Sequence, residues 1–118
     1  MKTIRINRAK WLRGKTSPYQ KNYLWCSKRQ AGCCLGHAIH QTTKCSWKDL
    51  EKIDNPRTYY SRESFLTEPT FHVNGFKNNE FALAAMDLND DIRVDSTVRE
   101  ELLIKLFAEN NIKLEFYN

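Results

Sequence analysis

The sequence predicts one α+β domain over residues 1–118: a small antiparallel sheet that includes both terminal strands, packed against three or four helices. Three observations predict it. Residues 3–7 (TIRIN) and 112–117 (IKLEFY) carry apolar side chains at every second position, the period of a strand with one buried face. Residues 78–88 (NNEFALAAMDL) and 98–110 (VREELLIKLFAEN) carry them at helical spacing. A chain of 118 residues can fill one modest core but not two.

Each element has its own signal. After the first strand, RAKWLRG is a short helical or turn segment stopped by Gly14. Residues 13–21 form a basic loop broken by Pro18. NYLWCS (22–27), rich in aromatics, is expected as a second strand, and KRQAG turns the chain after it. From Cys33, the pairs Cys34/Ala38 and Leu35/Ile39 are each four apart and make one buried helical stripe. Gly36 sits inside that stripe, where it favours close approach by another element over helix stability. SWKDLEKID (46–54) opens with a Ser46…Asp49 capping box, continues with Trp47, Leu50 and Ile53, and ends at Asn55–Pro56. Residues 57–78 carry no clear periodicity. Beyond the 78–88 helix lies an acidic loop, NDDIRVD, and Thr97 with Glu100 reads as the capping box of the last helix. Asn110 and Asn111 are C-cap residues, and the final strand is expected to pair with the first.

Composition limits the function classes. Apolar residues make up 41% and charged residues 28% of the chain, which is ordinary for a globular domain. No apolar run reaches the length of a spanning helix, and the basic start lacks a secretory apolar segment, so a reduced, intracellular setting without membrane partners is expected. The net charge of +5 conceals an asymmetry: residues 1–48 carry +11 with no acidic side chain, and residues 49–118 carry −6. Such a layout offers a basic face to nucleic acid or to an acidic protein surface. It is equally the layout of two halves that offset each other's charge within the fold.

The chemistry-bearing stretch is QAGCCLGHAIHQ, residues 30–41. Zinc needs four nitrogen or sulfur ligands, and Cys26, Cys33, Cys34, His37, His40 and Cys45 are the candidates. The usual C-x₂₋₄-C pairs are absent. A nucleophile would need a thiolate beside a base, and Cys33 with His37 is the one such pair on a helix start. The third reading is a buried helix start without a metal or cofactor, and it is the expectation carried forward, with zinc as the alternative. Asp87, Asp90, Asp91 and Asp95 miss the calcium-loop spacing and are read as turn residues. Arg8, Arg13, Lys15, Lys28 and Arg29, with Trp11 and Trp25, are the candidate contact residues, since cations among aromatics can hold phosphates and bases. Trp11, Trp25 and the Cys33–His37 turn could also wall a small-ligand or nucleotide-signal pocket.

KWLRGK (10–15), GCCLGHAI (32–39) and AMDLNDD…REELLIKLFAENNIKLEF (85–116) together resemble a family of small bacteriophage proteins of unassigned function. Its members share a W-x-RG start, a central CCLG, an ND pair and an RE…LF tail. Where relatives commonly carry Gly before the last strand, this chain has Asn111. The resemblance implies a phage product acting in the cytoplasm of a bacterial host, and it brings no catalytic residues. The expected function is a non-enzymatic binding protein acting on a host factor, a counter-defence inhibitor for example. Nucleic-acid binding through the basic half, and small-ligand binding, are the alternatives.

Overall fold

The alternating isoleucines of the first strand, Ile4 and Ile6, are fully buried, as is Ile112 of the last, while Thr3, Arg5 and Lys113 face outward. In the computed structural model, which describes residues 2–14, 23–42, 46–51 and 79–118, these strands are β1 (Lys2–Asn7) and β2 (Ile112–Tyr117). Among the described residues three α-helices accompany them: α1 (Cys34–Thr42), α2 (Asn79–Asp90) and α3 (Ser96–Glu109). The α+β class and the placement of both terminal strands in one sheet are as predicted. Residues 15–22, 43–45 and 52–78, which hold the basic loop around Pro18, Lys15, Cys45, His72 and the end of the expected 46–54 helix, lie outside the described residues.

The sheet is parallel, not antiparallel, with Lys2 opposite Ile112 and Asn7 opposite Tyr117. Alternating half-buried strands usually signal an antiparallel sheet, because parallel strands are commonly covered on both faces. Here the whole intervening chain serves as the crossover that parallel pairing demands. Among the described residues the buried positions of both strands lie on the face that meets the helices, so the polar-out pattern persists. Leu103 and Phe107 of α3 share a core with Ile4, Ile6, Ile112, Leu114, Leu35 and Leu50, and Phe81 of α2 meets Phe107 edge-on at 5.2 Å. The outer edge of β1 is closed by Gln41 of α1, whose side chain accepts from the Arg5 N–H at 2.9 Å and donates to the Arg5 carbonyl at 2.6 Å.

Three local expectations are corrected. No strand forms at 23–27; Trp25 bridges Glu51 and Cys26 bridges Ala31. The chain reverses at once over Ser27–Gln30, where Gln30 takes a left-handed φ of 51°, so no ladder can extend. At 46–51 the Ser46–Asp49 capping box forms, with the Ser46 N–H on Asp49 at 2.9 Å and the Asp49 N–H on Ser46 at 3.2 Å. Yet only a 3₁₀ turn, Lys48–Leu50, follows it. Glu51 is extended, paired to Trp25, and its carboxylate accepts from both the N–H and the hydroxyl of Ser27. That tertiary clasp overrides helix propensity. Finally, α3 is capped by Asp95, which accepts the Val98 N–H at 3.1 Å, and Thr97 lies inside the first turn. Asn111 takes the left-handed conformation expected of a C-cap residue, φ 62°.

Candidate functional site

Asn89, the penultimate residue of α2, is fully buried, and the separated sequence motifs meet on it. Its Oδ1 accepts from the Trp11 indole N–H at 2.8 Å and the Cys34 backbone N–H at 3.1 Å. Its Nδ2 donates to the Leu12 carbonyl and to Asp90 Oδ1, each at 2.9 Å, and its own carbonyl accepts from Gly14 N–H at 2.8 Å. Every donor and acceptor of the amide is thus used. The W-x-RG segment, the CCLG helix start and the ND pair are one polar knot inside the core. Arg99, only 4% exposed, secures the next turn by donating to the carbonyls of Leu88, Asp91 and Val94. Glu100 holds Arg8 with two bonds, at 2.7 and 2.8 Å.

The thiols of CCLG are sealed in. Burial pushes the Cys33 thiol up to about 12 and raises Cys34 well above the ordinary thiol range. Burial thus favours the protonated form of both thiols near neutrality. Cys34 Sγ points at the Ala85 carbonyl, 3.8 Å away. These two side chains are buried in the core. Among the described residues no three His, Cys, Asp or Glu side chains gather as metal ligands.

His37 bonds through Nε2 to the Lys10 carbonyl at 2.7 Å. A carbonyl only accepts, so Nε2 carries the proton. Burial first, then the neighbouring His40 and Lys10, lowers the ring's pKa from 6.5 to about 4 despite that bond. The unfolded chain then binds the proton more readily than the folded one, so stability from the neutral ring is complete above about pH 6.5 and drains away as pH falls towards 4. The loss reaches about 3 kcal/mol. Urea midpoints of the wild type are expected to fall over this interval more steeply than those of His37→Gln, which keeps a neutral donor there. Parallel curves for the two proteins would contradict this role.

Around His37 the rings pack closely. Trp47 lies between Trp25 and His40, with centroids 4.0 Å from each, and His37 meets it edge-on at 5.2 Å. Trp11 packs on Phe116 at 4.4 Å, with the Arg13 guanidinium 4.7 Å above its ring. Trp11 and Trp25 are 4% and 6% exposed, so both rings belong to the core and neither is an open stacking platform.

The candidate cations divide accordingly. Arg8 is bound to Glu100 and Asn118, and Arg13 to Ser96 and the carbonyls of Arg8 and Trp11. Arg5 pairs with Glu115 at 3.4 Å. These contacts join the basic first half to the acidic second. Lys28 and Arg29 instead stand exposed on the Ser27–Gln30 turn, and Lys48, in the 3₁₀ turn that precedes Glu51, is exposed as well. Sequence reasoning passed over Arg99, and it read Trp47 only as part of a helical stripe and Asn89 only as the start of an acidic loop.

Compared with protein-family models, curated proteins and solved structures, the chain matches none. No helix among the described residues is long and apolar enough to cross a membrane.

Proposed function

We propose that this chain is a small non-enzymatic binding protein, made by a bacteriophage to occupy a host factor with an acidic surface, as a counter-defence inhibitor would. The phage context comes from the sequence resemblance. The reading is supported by how the motifs are used: Asn89 with every polar atom engaged, two protonated buried thiols and a neutral buried His37. Those residues build the fold, and this use of the motifs supports surface contact as the means of action. Lys28, Arg29 and Lys48 are the contact cations, since they are exposed, whereas the guanidinium groups of Arg8 and Arg13 are held by bonds to Glu100 and Ser96.

Affinity capture from bacterial lysate with wild type and Lys28→Glu/Arg29→Glu tests it. The wild type retains a host protein after nuclease treatment, and the variant, with an unchanged melting curve, retains about tenfold less. Equal retention by both overturns the assigned surface. Capture abolished by nuclease, with a steep loss on adding salt, replaces it with nucleic-acid binding.

A further inference from the structure

The two strands of the sheet have unlike outer edges. On β1, the backbone N–H and C=O of Arg5 point outward and are taken by Gln41. Ile4 and Ile6 therefore direct their backbone groups inward, to β2. In a parallel pair the residue opposite an inward-facing one faces away. With Ile4 opposite Leu114 and Ile6 opposite Phe116, the backbone groups of Ile112, Leu114 and Phe116 form the outer edge of β2. Among the described residues none bonds to that edge. The helix beside it, α3, lies on the buried face with Leu103 and Phe107.

We propose that this edge pairs with the same edge of a second copy, antiparallel, about a twofold axis through Leu114. Three features select that occupant and that register. First, an antiparallel strand centred on Leu114 forms hydrogen-bonded pairs at Leu114 with Leu114 and at Ile112 with Phe116, the three residues whose groups face outward. Second, the alternate positions place Lys113 opposite Glu115 of the second copy, twice by symmetry, in the closely spaced pair type where opposite charges attract. Both side chains already stand on the open face, where Lys113 and Glu115 pair at 3.1 Å within one strand. Third, the sheet has two strands among the described residues, a marginal number by itself, and the pairing joins them in the order β1, β2, β2, β1. The proposal is independent of the function proposed above.

Sedimentation velocity across a concentration series extending into the high micromolar range tests it, since a single strand pair is a small interface. The wild type shifts from monomer to dimer as concentration rises. Lys113→Glu and Glu115→Lys each set like charges opposite one another and weaken self-association by about tenfold. The decisive sample is an equimolar mixture of the two variants. One variant then brings carboxylates at both positions and the other brings ammonium groups at both. Each cross-strand pair between them joins opposite charges, so the mixture dimerises where neither component does. Circular dichroism melts of each variant check that the monomer fold is kept, as expected for substitutions on the open face. A wild type that stays monomeric throughout, variants that dimerise as tightly as the wild type, or a mixture that fails to associate overturns the proposal.

Discussion

Gly36→Ala is expected to destroy cooperative folding or to lower the melting temperature by more than about 10 °C. Helix propensity alone predicts the opposite sign, because alanine stabilises a helix interior over glycine by about 1 kcal/mol. Position 36 reverses it because the backbone of Leu24 crosses α1 there. A Cβ on Gly36 would be driven into the Leu24 carbonyl, with the Leu24 carbonyl carbon and Cα also too close. Backbone cannot swing aside as a side chain can. Leu24 is itself fully buried, and Gly32 meets the same carbonyl. The only relief is to part α1 from the 23–26 segment, which would open the core holding Leu35, Ile39 and Trp25. Thermal melts followed by circular dichroism check it. A variant as stable as the wild type would mean that α1 and Leu24 do not pack this closely.

Asn89→Leu is the second severe change. Leucine replaces the amide with an apolar group and leaves the Trp11 indole N–H, the Cys34 N–H and the Leu12 carbonyl buried without the partner they have now. Each orphaned group costs about 1–3 kcal/mol, and their sum approaches the whole stability of an ordinary domain, about 5–15 kcal/mol. Trp11→Phe removes one donor while Asn89 keeps Cys34 and Leu12, so its cost is smaller. The double variant is expected to cost less than the sum of the singles, because Trp11 and Asn89 share one bond. Urea titrations of the three proteins measure this. A midpoint for Asn89→Leu within experimental error of the wild type would remove Asn89 from its central role.

Asn89 and Arg99 are marked in the sequence in a form that periodicity alone does not decode. Phe81, Ala85 and Asn89 are each four residues apart along α2, and Arg99, Leu103 and Phe107 are likewise along α3. A polar residue at the end of an apolar stripe is the trace of a buried polar group. Which groups it satisfies depends, for Asn89, on segments almost eighty positions away, and helical spacing carries nothing about them. The terminal strands, α1 and the last two helices are legible because their signals are local. The 46–51 turn and the 23–27 segment are not, because Glu51 and Ser27 bind each other, a contact invisible to either stretch by itself. Strand direction escapes for a related reason: alternation reports how many faces are buried, not which way the neighbouring strand runs. Charge follows the same division. Counting residues exposes the asymmetry, but only the pairing of Arg5 with Glu115 and Arg8 with Glu100 reveals how much is neutralised inside the fold.

The pairing of β1 with β2 also fixes an order of events at synthesis. β1 leaves the ribosome before every other described element, and its only strand partner among the described residues is the last of them to be made. Until β2 has emerged, Ile4 and Ile6 lack the one strand that pairs with them among the described residues, and the Asn89 knot lacks its amide until α2 is complete. Folding therefore waits on residues 112–117, with contacts that span more than a hundred positions, and it should be slower than the folding of a helical bundle of similar size.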